Sequence, residues 1–140
     1  MSNEREIKFR AWDISKRKIL RNVGFHPHIC MIHEGYKTGD DAELTIAPDF
    51  TNYKIMQYTG LEDERGVAIY GGDIVNIRIP PEKTWSIREI VWSDAYLTWM
   101  AKQWLANGRD WLSNDLAGPR QIEVIGNIYE NPELLHGAAK

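Results

Sequence analysis

The chain has 140 residues, the size of one domain or of one domain with a small appended subdomain. Its hydrophobic fraction of 43% can fill a core without disulfides or metal, and a single cysteine excludes an internal disulfide framework. No stretch approaches the roughly 18 consecutive apolar residues of a membrane-spanning helix, and the polar N-terminus does not resemble a secretory signal. We therefore expect a soluble protein of the cytoplasm.

The net charge of −3 is unevenly distributed. Residues 1–22 hold seven Lys or Arg against three acids, a net charge of +4, so the other 118 residues carry −7. A basic edge of this kind is suited to contacts with phosphates. The alternative is a solvated hairpin whose cations prevent pairing with foreign strands. We favour the second interpretation, because an acidic chain offers little long-range attraction for nucleic acid.

The N-terminal pattern predicts a β-hairpin. Residues 7–13 alternate apolar and polar side chains, typical of a half-buried strand whose buried face carries the odd-numbered residues from Ile7 to Ala11. The polar segment 13–18 predicts a turn, and residues 19–23 predict the returning strand.

The region that follows is the least regular part of the chain. Glycines and prolines interrupt residues 24–53, where residues 43–46 alone predict a short strand. We therefore divide the chain into an N-terminal β-hairpin with a variable region, residues 1–53, and a barrel-like core, residues 54–140, which could also form one integrated domain.

The second half has the pattern of strands separated by sharp turns. A first strand ends at Gly60, and Gly66 and Gly72 provide the positive φ angles that tight turns require. Asp73 follows Gly72, and its carboxylate can accept hydrogen bonds from turn N–H groups. A Gly-Asp corner that enters a strand recurs in small SH3-like barrels. Strands or extended segments are predicted at residues 55–59, 67–70, 74–79, 85–92 and 122–129.

The C-terminus predicts a short helix. The strand 122–129 has a possible bulge at Gly126. After it, Asn131 is suited to the N-cap position, Pro132 to the first helical position, and Gly137 to a stop. We expect a helical cap of one or two turns that presses its leucines onto the barrel.

Several of these segments resemble a known family. Residues 56–61 and 69–75, together with 124–134, resemble the signature of the YopX family, small proteins encoded largely by phages and prophages whose biochemical role is undetermined; residues 6–13 match its opening. The motif residues are Tyr58, Gly60, Gly72, Asp73, Gly126, Asn127, Asn131 and Pro132. The resemblance implies a phage or prophage context, but no reaction.

Residues 94–106 support two interpretations. Ser93 as N-cap, apolar residues at helical spacing, and Asn107-Gly108 as a stop favour a helix. The family resemblance instead implies a hairpin, with Leu97, Trp99 and Ala101 on one face of the return strand. We favour the hairpin. The expected fold is mainly β, with an SH3-like barrel in the C-terminal part.

One cluster has the composition of a metal site. It consists of His26, His28, Cys30 and His33, whose imidazole and thiolate groups are ligands that zinc prefers. Their spacing matches no standard zinc pattern, and Pro27 interrupts the segment. We expect a loop with partly exposed histidines and no bound metal, with zinc as the alternative.

The sequence offers no catalytic constellation. The acids at residues 62–64 and at 40–41 lie in polar turns, whereas general acid–base catalysis requires a carboxylate in a partly buried site. Phosphate-binding glycine loops and nucleophile motifs are absent. We therefore expect no catalytic residues and no cofactor, and an enzyme with an unrecognised site is the minority interpretation.

Five of the six tryptophans fall between Trp85 and Trp111. This is more than a core of this size needs, so we expect one or two to be exposed. Exposed tryptophans anchor protein interfaces or stack on single-stranded bases. The expected function is an interaction module that forms a homo-oligomer or binds a phage or host protein. The alternative is a nucleic-acid-associated protein that uses the basic hairpin.

Overall fold

The computed structural model describes residues 6–26, 31–33, 44–46, 53–105, 110–118 and 120–137. These residues are mainly β and form antiparallel sheets. The chain divides into two compact units, Met1–Tyr58 and Thr59–Lys140, so the division falls inside a strand. This division into compact units does not test whether the two parts are separate domains. The predicted domain boundary between residues 53 and 54 therefore stays a prediction.

The first unit contains an antiparallel sheet in the order β4-β3-β2-β1-β5. Its strands are β1 (Phe9–Asp13), β2 (Lys18–His26), β3 (Met31–His33), β4 (Leu44–Ile46) and the first part of β5 (Tyr53–Glu62). The predicted hairpin is confirmed as β1 and β2, with Ala11 opposite Leu20. These two residues and Val23 form a small core against which Phe9 and Tyr53 pack.

Two predictions about the first unit are wrong. β1 is buried on both faces, since Arg10 and Trp12 are buried as well as Ala11; a charged residue in the alternation therefore does not mark a solvent-facing position here. Ile7 precedes β1 and is 73% exposed. The variable region also contains more strand than predicted, because three-residue strands such as β3 are too short to show a period.

The second unit is built on an antiparallel sheet in the order β10-β9-β8-β7-β11, and its part of β5 pairs with β6. Its elements are β6 (Ala68–Tyr70), β7 (Asp73–Arg78), β8 (Ser86–Ser93), β9 (Thr98–Trp104), β10 (Asp110–Ser113), a 3-10 turn (Asp115–Ala117), β11 (Gln121–Asn127) and α1 (Glu133–Gly137). The core cluster consists of Ile69, Val75, Ile77, Ile90, Leu116 and Ile122.

Residues 94–106 contain no helix where they are described, and the hairpin prediction is confirmed. β8 and β9 pair with Ile90 opposite Ala101, and both side chains are fully buried. The alternation typical of a strand therefore predicts this segment correctly, and the helical spacing of its apolar residues does not. Leu97 is the exception, because it lies in the turn before β9 and not on the face of Trp99 and Ala101.

The Gly72-Asp73 corner has the predicted geometry. Gly72 has φ +91°, donates its N–H to the carbonyl of Ile90 at 2.8 Å and accepts from the N–H of Ile128 at 2.9 Å. The buried Asp73 carboxylate accepts from the N–H of Tyr70 at 2.8 Å. Gly60 also has positive φ, but β5 continues through it to Glu62, so the predicted strand end was wrong.

The bulge near Gly126 is confirmed, because the register of β11 against β7 shifts between Val124 and Gly126. A Cβ on Gly126 would lie 2.5 Å from Oδ1 of Asn131. That oxygen accepts a hydrogen bond from the N–H of Asn127 at 3.3 Å. The predicted N-cap role is therefore wrong: the Asn131 side chain turns back to the bulge, and the helix begins at Glu133.

A buried asparagine holds the turn that joins β11 to α1. Oδ1 of Asn127 accepts from the N–H groups of Tyr129 at 3.0 Å and Glu130 at 2.9 Å. α1 lies against β8 and buries Leu135. Among the described residues, no helix has the length and apolar character needed to cross a membrane.

We predict that Gly72→Val destabilises the protein by about 1–3 kcal/mol, because a β-branched residue resists positive φ. Urea denaturation measures the change. Gly118→Val is the matched control, since Gly118 is extended and has open space at its Cβ position. A Gly72→Val midpoint equal to that of the parent would contradict the corner geometry.

Candidate interaction surface

The turn between β8 and β9 presents two large apolar side chains to solvent. Ser93 begins the turn, and its Oγ accepts from the N–H of Tyr96 at 3.2 Å. Tyr96 and Leu97 are 71% and 74% exposed. Leu97 has φ +54°, a region in which a bulky residue is an outlier. Backbone strain is therefore stored next to exposed apolar surface.

The turn between β1 and β2 has the same hydrogen bond and the same backbone geometry, but it carries different side chains. Oδ1 of Asp13 accepts from the N–H of Lys16 at 3.0 Å, as Ser93 does for its own turn. Arg17 has φ +53°, the counterpart of Leu97. One turn thus displays cations, and the other displays an aromatic and an aliphatic side chain.

A groove adjoins the apolar turn. Its volume is about 410 Å³. Its lining is uncharged and consists of Tyr96, Thr98, Met100, Leu112 and Asn114. Met100 is buried, whereas Leu112 on β10 is 41% exposed. We call this feature the hairpin groove. Its shape and lining suit an apolar side chain of a partner.

The tryptophans divide as the sequence predicts, with two of them largely exposed. Trp85 is 43% exposed beneath the guanidinium of Arg78, and Trp92 is 49% exposed. Trp92 meets Trp99 edge to face at 5.4 Å and donates its indole N–H to Asp94. Trp104 is half-buried and donates to Glu89, whereas the side chain of Trp111 lies outside the described residues.

The outer edge of β11 is covered by the turn between β5 and β6. The Glu64 N–H donates to the carbonyl of Ile122 at 3.2 Å, and the Val124 N–H donates to Oδ2 of Asp63 at 3.1 Å. Arg65 completes the contact by donating to the carbonyl of Val124 at 3.3 Å. Side-chain and backbone groups of this turn therefore replace a neighbouring strand.

Asp63 is the centre of this contact, although the sequence predicted a solvent-facing acid. Its side chain is fully buried, and Oδ1 accepts from the N–H groups of Arg65 and Val67, both at 2.9 Å. Burial alone would raise the pKa of this carboxyl, but three backbone hydrogen bonds, led by that of Val124, and the Arg65 charge hold the pKa below its ordinary value.

The opposite edge strand, β10, is anchored by a polar network around the buried Arg88. Arg88 on β8 donates to Oγ of Ser113 at 2.9 Å and to Oδ2 of Asp115 at 3.2 Å. The Ser113 hydroxyl lies 2.6 Å from the same carboxylate oxygen, and Ser86 accepts from Nε of Arg88 at 3.0 Å. Because the arginine side chain is 8% exposed, this network fixes β10 firmly against the sheet.

The predicted metal cluster is only partly described. His26 is opposite Met31, and His33 is opposite Gly24 in the backbone register of β2 and β3. His28 and Cys30 lie outside the described residues, as do the acids at 40–41. Within the described part of the chain, no group of three His, Cys, Asp or Glu residues could hold a metal ion.

Most of the motif residues lie around one corner of the second unit. Asn127 is opposite Asp73 in the register of β7 and β11, Gly72 accepts from the N–H of Ile128, and Asn131 contacts the bulge at Gly126. Tyr58, in the first unit, is buried with the Lys8 ammonium 4.3 Å from its ring centre. Sequence reasoning missed the roles of Asp63, Arg88 and Asp115. The order Asp63-Glu-Arg-Gly66 is a turn signal, but only the fold shows that the turn meets β11.

We predict that Asp63→Asn destabilises the protein by about 1–3 kcal/mol at pH 7, because an amide cannot accept as many of the buried N–H groups. The lowered pKa of Asp63 means that its stabilisation is full above about pH 4 and is lost as pH falls through the folded pKa. The variant should therefore lose less stability between pH 5 and pH 2 than the parent. Urea titrations across this range measure both effects.

Glu64→Gln is the control for this prediction, since Glu64 is exposed. It should leave the stability at neutral pH unchanged. Equal acid dependence of Asp63→Asn and the parent would contradict the assignment.

The comparisons with known proteins identify relatives by fold and by family. The crystal structure of protein EF1440 from Enterococcus faecalis is 30% identical, with a TM-score of 0.58, and the match covers 94% of this chain and 99% of that chain. Protein yopX from Bacillus subtilis is 22% identical, with a TM-score of 0.59 and coverage of 91% and 97%, which shows a similar fold. A search of the curated proteins found no match. The YopX protein family matches residues 8–136, and the chain therefore belongs to the YopX family.

Proposed function

We propose that this protein is a non-enzymatic interaction module that binds protein through the hairpin groove and the adjoining turn. In this proposal the second unit is an SH3-like barrel, with α1 as its cap. The bent corner at Gly72 and the packing of Leu135 support this architecture. The phage or prophage context and the cytoplasmic location implied by the sequence belong to the same proposal.

Leu97 is the observation that carries the proposal. Its positive φ is unfavourable for a side chain with a Cβ, and its 74% exposure means that the side chain gains little from packing. Folding stability therefore does not account for leucine at this position. Contact with a partner does, because a partner can bury Leu97 and Tyr96 together, and large aromatic anchors dominate protein interfaces.

The charges around the turn favour a protein partner over nucleic acid. The indole N–H of Trp92 is engaged by the Asp94 carboxylate at 3.0 Å, which places negative charge beside the exposed ring. The hairpin groove itself is lined by uncharged residues. An uncharged lining gives phosphates little attraction, whereas it suits the apolar side chains of a protein interface.

We predict that Leu97→Gly has opposite effects on stability and on binding. Glycine relieves the positive φ, so the free energy of unfolding should rise by about 0.5–1 kcal/mol. Loss of the exposed side chain should weaken partner binding by about five- to thirtyfold, since a contact at the centre of an interface contributes on the order of 1–2 kcal/mol. Urea titration and affinity capture from host cells, quantified by mass spectrometry, provide the two readouts.

Val67→Gly is the matched control, because Val67 is 43% exposed and lies outside the groove. It should lower stability slightly and leave capture unchanged. A Leu97→Gly protein that is less stable, or that captures the same proteins as the parent, would contradict the proposal.

Nucleic-acid binding remains the second candidate, because three consecutive cations at the β1–β2 turn and the start of β2 are exposed, Lys16, Arg17 and Lys18. If these residues bind phosphate, the affinity for single-stranded DNA should fall steeply between 50 and 200 mM salt, on the order of tenfold or more. Fluorescence anisotropy of the parent and of a Lys16→Ala, Arg17→Ala variant tests this. No binding by the parent at low salt would eliminate the candidate.

A further inference from the structure

We propose that β10 pairs with β10 of a second copy of this chain, in an antiparallel register centred on Leu112. The inference rests on the proposed function, since Leu112 lines the hairpin groove, and it names the partner as the same protein. The two edges of the second unit's sheet differ in kind.

One edge of this sheet is closed and the other is open. β11 is covered by the turn that contains Asp63, as described above. β10 ends the order β10-β9-β8-β7-β11, and no described strand pairs with its outer side. β10 carries no lysine or proline, the residues that commonly protect an edge from pairing. Among the described residues, its outer backbone donors and acceptors are therefore open to another strand.

Symmetry limits how two copies of β10 can pair. Directly opposed residues in an antiparallel pair point to the same face, so a twofold axis must pass through one residue position and not between two. A register centred on Leu112 places Asp110 opposite Asn114. A register centred on Trp111 places Asp110 opposite Leu112. The first register does not set an acidic residue opposite an apolar one, and we therefore assign it.

The register centred on Leu112 also joins the apolar surfaces. It brings the two Leu112 side chains, each 41% exposed, directly opposite one another on the face that carries the groove. The two hairpin grooves then become neighbours on one continuous face. Because the lining is uncharged, the surface is compatible with itself, which a twofold interface requires.

The network around Arg88 prepares this edge for pairing. Ser113 is held by both Arg88 and Asp115, so the C-terminal end of β10 is fixed before a partner arrives. A fixed edge loses less conformational freedom on binding than a mobile one. The β10 of a second copy can therefore pair with a strand whose backbone is already ordered.

A charge exchange at Leu112 tests the register. We expect the parent to show a mass of twice 16.2 kDa by multi-angle light scattering at micromolar concentration. Leu112→Lys and Leu112→Glu should each be monomeric, because like charges would face each other across the axis. An equimolar mixture of the two variants should recover the dimer mass, since lysine would then face glutamate. Val67→Lys is the control, and it should remain a dimer.

The outcomes separate this inference from the proposed function. A parent that stays near 16.2 kDa on concentration overturns self-pairing, whereas the Leu97→Gly capture experiment still decides whether the groove binds a protein. A mixture that stays monomeric while the parent is a dimer overturns the Leu112 register. Circular dichroism shows whether each variant is folded, and Leu112→Ser provides an uncharged substitute if the charged variants do not fold.

Discussion

The hydrogen bonds of Asp63 close one side of the second unit's sheet. A sheet edge exposes unpaired N–H and C=O groups, and a protein covers, charges or pairs them. Here a carboxylate performs part of the role of a strand, because it accepts from Val124 across the edge and from the turn's own N–H groups. The Asp63 side chain therefore both stabilises its own turn and fixes that turn to β11.

At the other edge, no described strand or turn covers the outer groups in this way. β10 is held from within by Arg88 and Asp115, and this ion pair stiffens the strand without covering its outer groups. Next to it, Leu97 occupies a backbone region that glycine would occupy at lower cost. Strain, exposed apolar surface and an open edge thus coincide in one part of the second unit, whereas its β11 edge is closed.

The two hairpin turns show how one local design supports different surfaces. In both, the residue that precedes the turn accepts the N–H three positions later, and the residue before the second strand has positive φ. Lys16 and Arg17 occupy one turn, and Tyr96 and Leu97 occupy the other. The backbone geometry leaves these side chains in solvent, so their chemistry is available for contacts with other molecules.

Much of the fold is predictable from the sequence, because turn chemistry is local. Gly72 and Asp73 specify their corner within four residues, and the bulge at Gly126 follows from a glycine inside a strand. The role of Asp63 was not predictable, since its partner Val124 is 61 residues away in the chain. The same applies to Arg88 and Ser113, 25 residues apart, and to the open edge at β10. The role of Asn131 was predicted wrongly because its side chain can either cap the helix or accept a hydrogen bond at the bulge, and it does the second.

Hydrogen exchange distinguishes a closed β11 edge from an open β10 edge. We predict that the Val124 amide, bonded to Asp63, is protected at every protein concentration. The outward-facing amides of β10 should exchange rapidly in dilute protein and become protected as the concentration rises into the micromolar range. Equal protection of both edges in dilute protein would show that β10 is covered within its own chain. Rapid exchange at Val124 would show that the Asp63 turn does not close β11.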